Sequence, residues 1–359
     1  MLAPVTAPAV PVVWSPVTRE HEPKNEIWVG VPTTGTEVPA RVDAILAALD
    51  DHGHPRVEAV AHDDAALLAV HAPDLVDHLR GVHDEWLAAG YVELVGQDRV
   101  VPYFFPTEAM LGGLPAHRAA AVHGRAGQFG YDTMTLVGPG TWAAARAAAD
   151  CALTAVDLVV AGEPLVYALC RPPGHHVTRS AYGGSCYLNN AAVAAQALRA
   201  AGRDRVAVVD LDAHHGNGTA AIFYDRADVL YASVHVDPGA GWFPHVVGFA
   251  DEIGGGQAAG TTLNLPLPPG TGDRDWLAAV RRLVAAVADF DADALIVSLG
   301  VDAAADDPES PLEVTADGYR EAGTLLASLR TAAVVVQEGG YHLPSLGGLV
   351  AAYLAGHTA

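Results

Sequence analysis

Residues 206–218 have the sequence VAVVDLDAHHGNG, an apolar run that ends abruptly in carboxylate and imidazole side chains. The run at 206–212 is rich in β-branched residues and does not alternate between polar and apolar positions. This pattern is typical of a strand that is covered on both faces of a parallel sheet. We therefore predict a buried strand here, with its polar end at the carboxyl edge of the sheet.

Similar apolar runs occur elsewhere in the chain, at 165–170 (LVYALC), 229–235 (VLYASVH), 294–300 (ALIVSLG) and 332–340 (AAVVVQEGG). Helical patterns lie between them, at 189–202, 275–290 and 314–330, with Thr315 as a predicted N-cap. Strands and helices thus alternate, as they do in doubly wound α/β proteins. We predict one α/β domain over residues 1–359, with helices flanking a mostly parallel sheet.

The composition indicates a large core and an acidic surface. Hydrophobic residues make up 51% of the 359 residues, and the formal net charge is −22. Such a surface repels nucleic acid, which argues against a DNA- or RNA-binding role. The negative charge favours attraction of a cationic substrate, although an acidic surface that aids solubility accounts for it at least as well.

Neither a membrane span nor a secretory signal is expected. No run of about 18 apolar residues occurs, and the N-terminus lacks a basic start followed by an apolar block. The cysteines Cys151, Cys170 and Cys186 are few and odd in number, which argues against a disulfide framework. We expect a cytoplasmic protein, with Cys186 in a packing role rather than as a nucleophile.

Carboxylate and imidazole groups follow two of the predicted strands. Asp212 and His214 are two residues apart, so both can project to one side of an extended segment, and Asp302 follows the run at 294–300. Ligands bind at the carboxyl ends of strands in such sheets. Three nitrogen or oxygen ligands with an open fourth position form a catalytic zinc site. We predict that these three residues hold one metal ion; for any one Asp alone, a helix cap or a solvated loop is the alternative.

Other polar groups are expected at the same edge. His175 and His176 follow the run at 165–170 and suit general acid and base work, because imidazole titrates near neutral pH. Tyr341 follows two glycines, and its phenol suits donation to a developing oxyanion, although a half-buried aromatic is the alternative. Asp210 lies two residues before Asp212 in the predicted strand, where its carboxylate can accept a hydrogen bond from the segment that contains His175 and His176.

Motifs along nearly the whole chain resemble those of the histone deacetylase superfamily, in particular bacterial class II-like members and acetylpolyamine amidohydrolases. The main ones are RPPGHH (171–176), GGSCYLNN (183–190), DLDAHHGNGT (210–219), GFADEIGGG (248–256), NLPLPPGTGD (264–273), SLGVDAAADDP (298–308) and QEGGY (337–341). Earlier segments are also similar, namely HEPKNEIWVG (21–30), the pattern Glu37-x-Pro39-x-Arg41 and VPYFFPTEAM (101–110). The resemblance implies an arginase-deacetylase fold with an eight-stranded sheet, and zinc-dependent hydrolysis of an N-acyl amide such as an acetylpolyamine or acyl-lysine.

The resemblance also implies roles for individual residues. Zinc, or ferrous iron, would bind Asp212, His214 and Asp302. His176 would be the general base that activates water, and His175 its partner imidazole, hydrogen-bonded to Asp210. Tyr341 would polarise the amide carbonyl. Asn217 stands where many relatives have Asp, and we expect this neutral partner to orient His176 without raising its pKa.

Structural potassium is a further implication of the resemblance. The first potassium site would use Asp210, Asp212, His214, Ser233 and Val234, mostly through backbone oxygens. A second, peripheral site would lie near Phe223, Arg226 and Val229. Polyamine-type relatives use dimerisation to narrow their active site, so a homodimer is possible here.

The predicted substrate channel departs from the family at one position. The family usually has Gly-Phe-Cys where this chain has Gly184-Ser185-Cys186, and that Phe forms one wall of the channel. Phe243 is the predicted opposite wall. Glu108 is a candidate contact for a cationic substrate at the rim, with a merely solvent-exposed position as the alternative. We therefore hypothesise a substrate other than plain acetyl-lysine in a protein, with a bulkier acyl group or a differently shaped small amide.

Other functions are compatible with parts of the pattern. Ureohydrolysis on the same fold needs two metal ions with extra Asp ligands, which the residues around Asp212 and His214 do not provide. A non-catalytic binder of acylated ligands would be expected to have lost Tyr341 or a metal ligand, and this chain retains them all. Hydrolysis of a bulkier amide in secondary metabolism remains an open alternative.

Overall fold

The computed structural model describes residues 8–359 and contains ten strands in this part of the chain. They are Val12–Trp14 (β1), Glu26–Trp28 (β2), Val31–Thr33 (β3), Arg56–Glu58 (β4), Leu165–Ala168 (β5), Val206–Asp210 (β6), Val229–Val236 (β7), Thr262–Leu267 (β8), Ala294–Leu299 (β9) and Ala333–Gln337 (β10). Strands β2 and β3 form an antiparallel hairpin. The other eight form one sheet in the order β4-β1-β5-β10-β9-β6-β7-β8, and every pair is parallel. The predicted α/β fold with an eight-stranded sheet is confirmed.

Twelve α-helices occur in the described residues. They are Ala40–Asp51 (α1), Ala65–Val70 (α2), Pro73–Ala88 (α3), Tyr91–Val95 (α4), Glu108–Leu111 (α5), Val122–Phe129 (α6), Thr141–Val160 (α7), Asn190–Ala200 (α8), Asn217–Phe223 (α9), Asp273–Phe290 (α10), Ala316–Ala327 (α11) and Leu343–His357 (α12). The three predicted helices correspond to α8, α10 and α11. Thr315 caps α11, since its side chain accepts a hydrogen bond from the Gly318 N–H.

The sheet is buried on both faces by two separate hydrophobic cores. Successive residues of a strand point to opposite faces, so Val208 packs in one core and Val209 in the other. The first core contains residues of α3, α7 and α8, and the second contains residues of α1, α10, α11 and α12. This double burial explains why the strand sequences show no polar alternation.

The strand order determines where the polar strand ends meet. Strands β5, β10, β9 and β6 are neighbours in the sheet, and the chain segments with the predicted site residues follow them. Their carboxyl ends therefore form one continuous edge. Within residues 8–359, no helix combines the length and the apolar character that crossing a bilayer requires. The three cysteines are free and buried.

Candidate active site

The predicted metal ligands come together at the ends of β6 and β9. Ligand atoms of Asp212, His214 and Asp302 lie within 4.8 Å of one another. His214 Nδ1 is 3.3 Å from Asp212 Oδ1 and 3.0 Å from Asp302 Oδ2. Both carboxylates are buried, while the His214 side chain is 14% exposed. The cluster thus has one accessible side.

Backbone groups orient the two carboxylates. Asp212 Oδ2 accepts the Gly339 N–H at 2.8 Å, and Asp302 Oδ1 accepts the Ala213 N–H at 2.8 Å. A Cβ atom at Gly339 would lie 2.5 Å from Asp302 Oδ2, and one at Gly300 would lie 2.0 Å from Asp212 Oδ2. Glycine is therefore required at both positions for the strand ends to approach the carboxylates.

The cluster fits a divalent cation. Burial and the negative charge of Asp212 raise the pKa of Asp302 to about 7, because two desolvated carboxylates repel each other. A bound cation removes this repulsion. Two carboxylates with one imidazole match the donor preferences of zinc and of ferrous iron. The residues present are therefore suited to the metal that the sequence predicts.

The two adjacent histidines lie on the loop at 171–176, which we call the histidine loop. His175 Nδ1 is 3.1 Å from Asp210 Oδ2. Burial by itself lowers the pKa of His175, but the carboxylates of Asp212 and Asp210 outweigh it and raise the pKa to about 10. This imidazole is therefore held in its cationic form at neutral pH.

His176 has the opposite electrostatic environment. Its Nδ1 is 2.7 Å from Asn217 Oδ1. Burial, and then the positive charges of His175 and His214, hold the pKa of His176 well below its usual value. His176 is thus neutral at physiological pH and able to accept a proton.

Tyr341 lies on the segment at 338–341, which we call the tyrosine loop. Its backbone N–H donates to Asp307 Oδ2 at 2.6 Å, and the Arg41 guanidinium lies 4.8 Å from its ring centre. Burial raises the pKa of the Tyr341 phenol well above its usual value. The phenol therefore keeps its proton and can act as a hydrogen-bond donor.

Of these groups, His176, His214 and Tyr341 line a cavity of about 90 Å³, which we call the catalytic cavity. It is lined by Glu26, Thr36, Met134, His176, Gly184, Ser185, His214, Phe243, Glu309 and Tyr341. Phe243 stands edge-on to His176, with ring centres 4.7 Å apart. The structure thus brings three of the predicted channel residues together. Glu108 is not among the lining residues; it begins the short helix α5, where it is exposed.

The loop containing Ser185 has a constrained backbone. Gly184 and Ser185 both have positive φ, of 59° and 60°. A Cβ atom at Gly184 would lie 2.4 Å from His176 Cδ2, so only glycine permits this approach. The Gly184 N–H donates to Asp132 Oδ2 at 2.6 Å, and the Ser185 N–H donates to Thr135 Oγ1 at 2.8 Å. Ser185 therefore stands at the cavity wall, although its effect on substrate choice stays a prediction.

Two acidic residues that are absent from the predicted site adjoin this cavity. Glu26 on β2 and Glu309 after β9 line both the catalytic cavity and a neighbouring groove of about 500 Å³, which we call the acidic groove. Burial, and then the charges of Glu309 and Asp132, raise the pKa of Glu26 to about 7. Glu309 directly follows the motif at 298–308, and this adjacency is the one feature of the sequence that indicates a place near the site.

The predicted potassium ligands lie deeper, beside the end of β6. Asp210 and Ser233 are register partners on adjacent strands, and Val234 follows in β7. Ser233 Oγ is 2.7 Å from His235 Nδ1. Of the peripheral set, Phe223 ends α9, Val229 begins β7, and the Arg226 guanidinium pairs with Asp228. Both potassium sites stay predictions.

Comparison with known proteins gives consistent results. The histone deacetylase domain model matches residues 35–357. The chain is 38% identical over 346 residues to an acetylpolyamine amidohydrolase of Mycoplana ramosa, covering 96% of this chain and 98% of that protein. It is 42% identical over 326 residues to one of Burkholderia pseudomallei (strain 1710b), covering 91% and 92%. The crystal structure of an acetylpolyamine aminohydrolase from Burkholderia pseudomallei, from an iodide soak, has a TM-score of 0.92 at 39% identity, covering 98% of this chain and 99% of that one.

Proposed function

Since the chain belongs to the histone deacetylase family, we propose that this amidohydrolase removes the acetyl group from a small acetylated polyamine with the help of a divalent metal ion. The observation that carries the choice of substrate is the pair of carboxylates, Glu26 and Glu309, beside the catalytic cavity. The two amidohydrolases compared above are named for acetylpolyamines, which supports the same choice.

A divalent ion on Asp212, His214 and Asp302 would act as a Lewis acid that polarises the amide carbonyl and lowers the pKa of water. The protein's own groups complete the reaction. With Nδ1 of His176 bonded to Asn217, its Nε2 is the nitrogen free to take a proton from the attacking water.

The remaining groups act on the substrate. The protonated phenol of Tyr341 donates to the developing oxyanion of the amide. His176 then returns its proton to the departing amine. His175, whose pKa Asp212 and Asp210 raise, carries positive charge beside His176, with ring centres 4.1 Å apart. His176 thus transfers the proton, and Tyr341 stabilises the charge that develops on the amide oxygen.

Glu26 and Glu309 account for recognition of a cationic amine. An ammonium group at the far end of a short aliphatic chain would reach the acidic groove while the acetyl group lies at the metal site. The cation would relieve the repulsion that raises the pKa of Glu26, so binding and ionisation reinforce each other. The net charge of −22 favours approach of such a substrate.

A substrate pair that differs only in charge tests this proposal. We expect the zinc-loaded protein to deacetylate N-acetylputrescine with a higher kcat/KM than N-butylacetamide, which lacks the terminal ammonium, or an acetyl-lysine peptide. Glu309→Gln should lower kcat/KM for the cationic substrate by about tenfold and leave the neutral analogue unaffected. Equal rates on the charged and neutral amides, or a preference for the peptide, would reject the proposal.

We also propose that two copies associate over the face that surrounds the catalytic cavity. Exposed apolar side chains lie in the hairpin and in the segment before α6, with Trp28 61% exposed and Leu114 72% exposed. A groove of about 550 Å³, lined by Trp28 and Phe105, shares Met134 and Phe243 with the catalytic cavity. A second copy would cover this apolar surface. Light scattering should give the mass of a dimer, and Leu114→Asp should shift it towards the monomer.

A further inference from the structure

A single buried carboxylate contacts two arginines beneath the catalytic cavity. Glu37 is 1% exposed, and its Oε1 accepts hydrogen bonds from Arg171 Nε at 2.8 Å and from Arg41 Nη1 at 2.9 Å. Both arginines are also 1% exposed. One anion therefore balances two desolvated cations at this point.

The first arginine anchors the base of the histidine loop. Arg171 is the first residue of that loop, and its other nitrogens donate to the carbonyl oxygens of Thr18 at 2.7 Å and His21 at 2.8 Å. These bonds attach the loop to the N-terminal part of the chain. Arg171 therefore holds the start of the histidine loop, which ends at His176.

The second arginine holds the tyrosine loop. Arg41 Nε donates to the Gly340 carbonyl at 2.6 Å, and its Nη2 donates to the Glu338 carbonyl at 2.6 Å. The same guanidinium packs against the Tyr341 ring. Arg41 therefore fixes the backbone on which the phenol stands.

The charge of Glu37 is the interaction that joins the two arginines. Its second oxygen, Oε2, has no hydrogen-bond partner among the described residues. His21 Nε2 lies 3.6 Å from it, but burial lowers the pKa of His21 to about 4, so this ring is neutral at physiological pH. Without the carboxylate, two buried guanidinium groups would face each other unscreened and move apart.

We propose that Glu37 is a positioning residue that sets the spacing between the histidine loop and the tyrosine loop. It touches neither the metal ligands nor the catalytic cavity, and acts through Arg171 and Arg41. The inference rests on the proposed function only in that Tyr341 must donate to a bound acyl group. Since Asp212, His214 and Asp302 lie outside the tyrosine loop, a shift of its end at Gly340 and Tyr341 would move the phenol out of reach and keep the three metal ligands in place.

The isosteric change Glu37→Gln tests this idea, because it removes the charge and keeps the shape. We expect kcat to fall by about tenfold or more with KM little changed, since displacement of a catalytic group affects the transition state most. Bound zinc, measured by elemental analysis, should stay at the wild-type level. A loss of zinc or a rise in KM alone would contradict a positioning role.

A binding measurement separates this role from general damage to the fold. A hydroxamate that chelates zinc presents a carbonyl oxygen for Tyr341 and requires no turnover, so its affinity can be measured by calorimetry. We expect Glu37→Gln to weaken hydroxamate binding by about tenfold in the wild-type background and by no more than about twofold in a Tyr341→Phe background. Equal losses in both backgrounds, or no loss in either, would overturn the proposal.

Two further variants complete the experiment. Glu321→Gln removes one carboxylate from an exposed pair with Arg281 and should change neither kcat nor hydroxamate affinity. If Glu37→Gln does not fold, Glu37→Asp keeps the charge but is too short to reach both guanidinium groups, and it should give the same background-dependent loss. Because the hydroxamate needs no polyamine, this result stands or fails separately from the choice of substrate.

Discussion

At the scale of single residues, the site depends on two histidines with opposite protonation. His175 faces the carboxylates of Asp210 and Asp212, whereas His176 faces the neutral amide of Asn217. Neighbouring charge, rather than burial alone, decides which imidazole keeps a proton, because both rings are buried. The environment thus assigns a different function to each of two identical side chains.

Asn217→Asp should shift the pH dependence of hydrolysis. A carboxylate at this position would raise the pKa of His176, so the general base would be protonated up to a higher pH. We expect the acidic limb of the kcat/KM profile to move upwards by about one unit or more. Measurement of kcat/KM across the pH range in zinc-loaded protein tests this, and an unmoved acidic limb would show that Asn217 does not act through His176.

Tyr341→Phe should separate turnover from metal binding. The ring remains and its packing against Arg41 is kept, but the hydrogen-bond donor is lost. We expect kcat to fall by about a hundredfold or more, with zinc content unchanged. Steady-state kinetics with elemental analysis measures both, and retained turnover would remove Tyr341 from the mechanism.

At the scale of elements, the loop at 183–186 forms one wall of the catalytic cavity. Ser185 presents a small polar side chain there, opposite Phe243. Ser185→Phe should narrow the cavity and provide apolar surface for a thin methylene chain. We expect kcat/KM for an acetyl-lysine peptide to rise. The positive φ of Ser185 strains any side chain equally, so Ser185→Ala serves as the matched control and should not raise it.

The strands and most of the site could be predicted from the sequence because one physical rule governs both. Strands buried on two faces lack polar alternation, and side chains that follow them meet at one edge, which placed Asp212, His214 and Asp302 together. Asp132 and Glu26 could not be found in this way. Asp132 follows no strand, and Glu26 lies on a hairpin outside the main sheet, so their positions depend on loop packing that no local pattern encodes.

The contact of Glu108 with the substrate stays a prediction. Its motif at 101–110 predicts a rim residue, and Glu108 lies on an exposed four-residue helix outside the cavity lining. The acidic groove contains two other carboxylates, Glu26 in the hairpin and Glu309 between β9 and α11. Charge at a pocket mouth is a property of several loops together, and a single motif does not reveal it.

At the scale of the whole molecule, buried neutral histidines make stability depend on pH. Desolvation lowers the pKa of His71 to about 4 and that of His78 to about 3. His71 is bonded to the Thr178 carbonyl through Nδ1 and accepts the Asn189 N–H at Nε2, so protonation would break one of these bonds. Both ring nitrogens of His78 have no partner among the described residues.

Because the pKa of His78 is lowered by folding, the free energy of unfolding should depend on pH. Below about pH 6.5, His78 binds a proton in the unfolded chain but not in the folded protein. The free energy of unfolding therefore decreases as the pH decreases, until the pH reaches the pKa of His78 in the folded protein. From about pH 7.5 to about pH 5, this one group should cost about 2 kcal/mol of unfolding free energy. His78→Leu removes no hydrogen bond, so it should reduce the loss of unfolding free energy between these two pH values by about 2 kcal/mol. Urea unfolding followed by tryptophan fluorescence measures this free energy at each pH. His52→Leu at an exposed position should leave the slope unchanged, and an identical slope in the His78 variant would show that the buried ring is protonated in the folded state.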